Sequence, residues 1–438
     1  MKLLTLGLWI TLSGIAFQGC LHVQLPALQI HRGQEQAPVS WMDAVQQALA
    51  ANPDLKQARQ QVASAARTRD AAAGSYLPSV SGEYDRDYAR TTSSLTRDSQ
   101  GLSISASQPL FTGFRITGDF LKAKRELEAE EYAYLETSAE VRFRLRSVYV
   151  DMMRLARLDE TNREIAQRRA QNAEMIRLRY EAGREHKGSM LRAQAIADQA
   201  AFEVRQTGRA LESQSLRLSR ELGGDFSTPL PVRGDLEKEV PALTGETPDF
   251  AVMAEKNPKV RRLVKTAESL KAGILSAQSV VWPQAEGTYD YGYSGPHASA
   301  LRDSSSLGLK VSVPFFEGGR NIADIRKARS DYGASLEEAR SARDETAVTQ
   351  AEAWAAFQNA VDFVAVRRHF LEAGRERADI IRSQYATGLV NYQDFDLAEQ
   401  DLVEAQKAYV EALANALTQE AGWEFSKGST LEELVLES

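Results

Sequence analysis

The sequence predicts an α+β membrane protein made of two pseudo-symmetric halves, each combining a pair of β-strands with a very long α-helix. Three observations carry this prediction. First, the chain repeats itself at an offset of 205 residues: Asn52-Pro53 returns as Asn257-Pro258, Gly82, Tyr84, Asp85 and Tyr88 return as Gly287, Tyr289, Asp290 and Tyr293, and Tyr180 and Gly183 return as Tyr385 and Gly388. A register kept over more than a hundred residues marks elements that run side by side and end at one level. Second, segments around Tyr84 and Tyr289 alternate apolar and polar residues with a period of two. Third, Asp119 to Ala182 contains neither Gly nor Pro, and a helix of that length reaches roughly 95 Å.

Taken in order, the N-terminus reads as a signal peptide over 1–19: Lys2, then an apolar run from Leu3 to Phe17 too short to span a bilayer. The only cysteine, Cys20, follows Gly19 in the manner of a bacterial lipoprotein cleavage site and is the candidate for lipidation; ordinary cleavage after Ala16 is the alternative. A single cysteine forms no internal disulfide. Residues 20–40, with Pro26, Gly33 and Pro38, read as an extended tether.

The first repeat occupies 41–224. Ala44, Leu49, Leu55, Ala58 and Val62 lie at helical spacing over Trp41 to Ala73, with Ser40 and Asp43 as its cap and Asn52-Pro53 as an early break. After Pro78, Val80, Gly82, Tyr84 and Tyr88 form the apolar face of a strand, with Arg86 intruding at its rim. A polar loop is expected from Arg90 to Gln100, then a second strand with Leu102, Ile104 and Ala106 on one face. The long helix to Ala182 follows, Gly183 ends it, and a returning helix runs from Ser189 to about Leu222. Residues 225–249, with Pro229, Pro231, Pro241 and Pro248, form the linker between halves. The second repeat, 250–423, restates the order: a helix from Phe250 to Val281, strands through Tyr289 and Leu309, a long helix from Asn321 to Thr387, Gly388, and a helix to about Ala421. Residues 424–438 are expected to be a C-terminal tail.

Each strand spans about ten residues, the length of a tilted transmembrane strand, with a Tyr-rich apolar face and a polar one. Glu83, Asp85, Asp87, Glu286 and Asp290 fall on the polar face and are expected to line a lumen. Four strands cannot close a barrel in lipid without leaving edge groups unpaired, so several chains are expected to share one barrel. The formal net charge of −7 provides no basic footprint and argues against nucleic acid as a partner. The five histidines, His22, His31, His186, His297 and His369, form no pair at ligand spacing, and no phosphate-cradling glycine loop is present. No enzyme, metal or cofactor is therefore expected, and Met152-Met153 reads as packing.

At this point the chain resembles the TolC family of outer-membrane efflux channels. The marks are Leu77-Pro78, Ser107-Gln-Pro-Leu-Phe-Thr-Gly113, Trp282-Pro283, Ser312-Val-Pro-Phe-Phe-Glu-Gly-Gly-Arg320 and Arg382-Ser-Gln-Tyr385-Ala-Thr-Gly388-Leu389, followed by Asp394 and Ala405-Gln406. The resemblance implies a homotrimer with a 12-stranded β-barrel in the outer membrane of a Gram-negative-type bacterium. A long α-helical tunnel continues the barrel into the periplasm. It further implies a passive export channel opened by a periplasmic adaptor and an inner-membrane pump of proton-driven or ABC type. An exported periplasmic coiled-coil scaffold without a channel is the alternative reading.

The resemblance also assigns residues. Pro109, Gly113, Pro314 and Gly318 mark the strand-to-helix junctions. Gly183 and Gly388 close the far turns as left-handed caps, and with Arg184 and Leu389 are the expected adaptor-contact tips. Tyr385 and Asp394 are the expected periplasmic gate, Asp394 supplying an acidic ring or capping the returning helix. Opening is expected as an untwisting of the second-half helices near Tyr385. The first-half counterpart of Asp394 is Ser189, Val390 stands where an arginine often links the gate, and His186 and Lys187 place positive charge at the first-half tip.

Overall fold

The computed structural model describes residues 38–90, 96–224, 230–243, 247–296 and 301–437. The signal peptide, Cys20 and nearly all of the expected tether lie outside the described residues, as does part of the linker.

Each half opens with a helix broken at an Asn-Pro pair. In the first, α1 (Trp41–Ala51) is capped by Ser40 in a reciprocal box with Asp43, and α2 (Pro53–Gly74) follows. Asn52 caps α2 by accepting from the Asp54 and Leu55 N–H groups, and Pro53 takes the first helical position, where a missing N–H costs nothing. Strands β1 (Ser79–Arg90) and β2 (Thr96–Phe111) come next, then α3 (Arg115–Glu181) and α4 (Lys187–Glu221). After a short α5 (Leu236–Glu239), the second half gives α6 (Phe250–Lys256), α7 (Pro258–Gln278), β3 (Gln284–Gly295), β4 (Arg302–Ser312), α8 (Arg320–Thr387), α9 (Tyr392–Lys427) and α10 (Leu431–Glu437).

The duplication reaches individual hydrogen bonds. The Asn52 side-chain amide donates to the Glu221 carbonyl at 2.7 Å, and Asn257 donates to the Ser426 carbonyl at 3.0 Å; both donors and both acceptors are 205 apart. All four residues are buried, so each bond ties the start of a half to its end in an interior where a lost partner is costly.

The four strands form one antiparallel sheet in the order β1-β2-β3-β4, with β1 and β4 as its edges. Register places Tyr84 opposite Leu102, Leu102 opposite Tyr293, and Tyr289 opposite Leu307. Val80, Ile104, Leu309 and Val311 lie on the same face. These side chains are all exposed, Leu307 at 86%, so the face is a continuous unpartnered apolar band. Glu83, Asp85, Asp87, Glu286 and Asp290 occupy the opposite face. There Ser107 donates to Glu286 and Ser306 to Asp290.

Several boundaries differ from the sequence expectation. The ladder extends through most of the expected Arg90–Gln100 loop, because backbone pairing at a hairpin end needs no side-chain pattern. Arg86 pairs with Gln100 inside the ladder rather than at its end, at the level where the apolar alternation of β2 stops. The helix expected from Phe250 to Val281 breaks at Asn257-Pro258 for the reason seen at Asn52-Pro53, and its last three residues tighten into a 3₁₀ turn. At the C-terminus, α9 continues to Lys427 and α10 docks instead of trailing. Leu431 is fully buried, and Glu432 accepts from Tyr134 and Ser138.

The main core lies at the middle of the long helices, where α1, α2, α3, α4, α8, α9 and α10 meet around Leu55, Leu145, Tyr149, Leu218, Leu413, Leu417 and Leu431. Met152 and Met153 are buried in it, as expected. Tyr149 donates to the Val39 and Arg233 carbonyls, pinning the parallel contact of Val39 with Val232 against α3. From this belt α3 and α8, 67 and 68 residues long, extend roughly 100 Å in all.

Candidate functional site at the helix tips

The junctions between sheet and helices are built differently in the two halves. Pro109 lies inside β2 opposite Glu286, beside a register irregularity that ends at Phe111, whereas Pro314 falls after the end of β4. Gly113 has φ +60, and a Cβ there would come within 2.6 Å of the Ser279 carbonyl oxygen and 2.8 Å of the Trp282 Cβ. Only glycine fits both the backbone and the space. Phe114 then packs edge-on against Phe111 and Trp282. At the second junction Gly318 is also left-handed (φ +63), but Phe315 and Phe316 are 94% and 85% exposed.

At the opposite end the long helices close in matching turns. The Gly183 N–H bonds to the Tyr180 carbonyl and Arg184 N–H to the Arg179 carbonyl; Gly388 and Leu389 repeat this with Tyr385 and Gln384. These are Schellman caps, with φ +72 at Gly183 and +84 at Gly388. An added Cβ at either glycine meets nothing within 4 Å, so strain, not crowding, is what the chain itself imposes there. Gly183, Arg184, Gly388 and Leu389 are all exposed, Leu389 at 77%.

Tyr385, one turn before Gly388, is almost fully buried at 1% exposure. Its ring stacks on Phe395 with centroids 4.6 Å apart, and the Arg179 guanidinium lies 4.5 Å from its centroid. Its hydroxyl donates to Glu185 at 2.6 Å, and Arg179 donates to the Tyr385 carbonyl at 2.9 Å. The first-half turn therefore grips the second-half helix by side chain and backbone together. Burial, and then the Glu185 hydrogen bond, push the Tyr385 phenol well above its usual range. Glu185 is pushed up by burial, but the Tyr385 hydroxyl, the His186 N–H, Ser189 and Arg179 outweigh this and hold it below the ordinary carboxylate value. Tyr392 is pushed up to about 12, by burial and then by Asp396.

Asp394 does not cap α9. Asn391 does, its side chain accepting from the Asp394 N–H at 2.9 Å, and the Asp394 carboxylate is exposed in the first turn, where it faces the positive end of the helix dipole. The buried acids of this region are others. Glu399, its side chain 1% exposed, accepts from Arg168 at 2.8 Å and from Asn172 at 2.9 Å. Asp396 accepts from Arg192 at 2.8 Å and lies 4.0 Å from Arg169. Arg168 also reaches Asp379 at 3.2 Å, and Lys407 pairs with Glu203. Every one of these links joins the α3–α4 hairpin to the α8–α9 hairpin. Among the described residues no group of acids, histidines or cysteines could hold a metal ion.

A sheet with two open edges and an apolar outer face, continued by paired hundred-ångström hairpins, matches one family in particular. The family model described as "Outer membrane efflux protein" matches residues 44–224 and 252–426. The chain belongs to this family. The outer membrane efflux protein BepC of Brucella suis is 19% identical over 346 residues, covering 78% of this chain and 75% of that protein. The crystal structure of the open state of the MtrE outer membrane channel of Neisseria gonorrhoeae superposes with a TM-score of 0.79, at 16% identity, covering 92% of this chain and 95% of the other. The outer membrane protein VceC of Vibrio cholerae superposes at 0.76, with 18% identity and coverage of 89% and 96%. The TolC-family resemblance read from the sequence is thus borne out, and with it an outer-membrane efflux channel that acts in transport rather than catalysis.

Within this family member, sequence reasoning located Tyr385 but missed Glu185, Arg179 and Phe395, which enclose it, and Asp396 and Glu399, which hold the hairpins below it. One signal was available: Asp396 and Glu399 are three apart and lie between Phe395 and Leu402, so one helical face carries both acids and core.

Proposed function

We propose that three copies of the chain assemble into one twelve-stranded barrel and one helical tunnel, which forms the outer-membrane duct of a three-part export machine. The observation that carries the reading is the four-stranded sheet, which has an exposed apolar face and two edges against which no strand pairs among the described residues. In lipid such edges are satisfied only by closure, and β4 of one copy against β1 of the next closes the ring. The polar face with Glu83, Asp85, Asp87, Glu286 and Asp290 then lines the lumen.

At the periplasmic end the Tyr385–Glu185–Arg179 cluster holds the closed state. Opening separates the second-half hairpin from the first, a switch between two packed arrangements rather than a chemical step. The exposed turns at Gly183, Arg184, Gly388 and Leu389 are the surface an adaptor's helical hairpin meets, and an inner-membrane pump, proton-driven or ABC type, supplies the energy. The exposed Asp394 carboxylates, one per copy, form an acidic ring at this end, and Cys20 carries the lipid anchor. The test is sizing of detergent-solubilised protein combined with conductance in a planar bilayer. A trimer with small closed-state conductance is expected; a water-soluble monomer that leaves the bilayer silent would refute the reading.

A further inference from the structure

We infer that the tunnel wall near its periplasmic end alternates two chemically different seams: an ion-paired seam within each chain, and an apolar seam in which Leu191 and Phe202 of one copy pack against Leu397 and Ala408 of the next. The inference rests on the trimeric reading above and adds to it which side chains the copies share.

The argument starts from the duplication. Each link across the within-chain seam joins a first-half residue to a second-half residue. Moving the first on by 205 and the second back by 205 gives its counterpart, which in a closed ring falls between one copy and its neighbour. The register of the tips supports the operation, because both Schellman turns and both returning helices are related by that offset. The within-chain pair Arg192–Asp396 then maps to Leu397 of one copy and Leu191 of the next. Lys407–Glu203 maps to Phe202 and Ala408, a bulky ring against a small side chain. Arg168–Glu399 maps to Ala373 and Gln194, and Tyr385–Glu185 to Tyr180 and Val390. Each of these four pairs loses its charges on crossing to the other seam; of the links named above, Arg168–Asp379 keeps one, since it maps to Ala373 and Glu174.

Exposure agrees independently. Leu191 is 54%, Leu397 51% and Phe202 43% exposed in the single chain, on helices whose opposite faces are already packed. Leu191 and Phe202 are eleven apart, three helical turns along one face. Large apolar side chains repeated on one face mark a contact surface. The open edges at β1 and β4 show that the chain already requires a neighbouring copy at the other end of the molecule. The occupant is therefore a second copy.

Cysteine pairs test this in the full-length protein in detergent. Leu191→Cys with Leu397→Cys, treated with a short bis-maleimide, should give covalent dimers and trimers on denaturing gels, whereas each single variant stays monomeric. Arg192→Cys with Asp396→Cys, across the within-chain seam, should link only within the chain and add no higher band. A second variant reads the chemistry. Leu191→Asp should reduce the cross-linkable or gel-stable trimer, and adding Leu397→Arg, which copies the within-chain ion pair, should restore it in low salt but not in high salt. If sizing shows trimers while the Leu191/Leu397 cysteine pair links only within chains or not at all, the apolar seam is wrong and the trimer stands. That outcome would follow if an adaptor hairpin occupied these leucines instead. If sizing shows a monomer, both readings fall.

Discussion

Replacing Tyr385 by Phe removes one hydroxyl from the most enclosed contact of the tip and leaves the rest of it in place. The ring still stacks on Phe395, and Arg179 still lies over it and donates to its carbonyl, since neither contact uses the phenol. What is lost is the 2.6 Å bond to Glu185. A hydrogen bond to a charged group contributes about 1.5–3 kcal/mol when buried. Glu185 is only half-buried and keeps its His186 N–H, so water recovers part of the loss and about 1–1.5 kcal/mol per chain is the reasonable figure. That is about a tenfold shift toward the open tip for each copy, and more if three locks release together. The assay is single-channel conductance in a planar bilayer, with thermal stability of the trimer as control. Y385F should open more often while melting within a few degrees of the native protein. Glu185→Ala, which removes the acceptor, should do the same, and the double variant should add little, because both remove one interaction. If both single variants stay as closed as the native channel, the Tyr385–Glu185 bond does not hold the gate.

The remaining predictions address the pH range, the buried ions, the repeat caps and the tip surface. Glu185 sits below its ordinary value of 4.5, so its contribution is full above that value and lost as pH falls through its lower folded value; Tyr385 sits above 10.0, so its contribution is full below that value and lost only as pH rises past it. Conductance should therefore stay low and flat from about pH 5 to pH 9 and rise in acid, as a bilayer titration would show. Glu399→Ala leaves Asn172 without its buried acceptor and Arg168 with Asp379 alone, and should cost about 2–3 kcal/mol, read as a lowered chemical-denaturation midpoint. Asn52→Ala and Asn257→Ala each remove a helix cap and a buried tie, at about 2 kcal/mol or more apiece, and should lower the melting temperature to a similar extent. Leu389→Asp should leave trimer size and stability unchanged while abolishing export in cells, because Leu389 packs on little within its own chain.

Much of the fold was legible because its signals are one-dimensional. An offset of 205 needs no structure to be noticed, period-two alternation survives wherever one face meets lipid and the other water, and a Gly- and Pro-free run of 64 residues has few alternatives to helix. Strand ends were not legible. The end of the ladder, from the Arg86–Gln100 pair to the Arg90–Thr96 pair, is paired backbone without a clean side-chain pattern, and periodicity is blind to it. The break at Asn257-Pro258 carries the signal already read at Asn52-Pro53, so applying the repeat to its own punctuation would have placed it.

The proposed gate was harder for a specific reason. Tyr385 announces itself through the turn that follows it, but Glu185 and Arg179 lie about two hundred residues away, and only lateral packing of two hairpins brings them together. Asp394, Asp396 and Glu399 look interchangeable in the sequence. Which of them is buried depends on where Arg168, Asn172 and Arg192 arrive from another helix, and the cap residue Asn391 leaves Asp394 facing water. A duplicated chain nevertheless carries its own clue to such partners. Where two halves keep register and yet differ in charge, as at Glu185 against Val390, Arg179 against Gln384 and Arg192 against Leu397, the two copies of one position face different neighbours. Symmetric residues build the wall that both halves share, and the residues that break the symmetry mark where the halves hold each other.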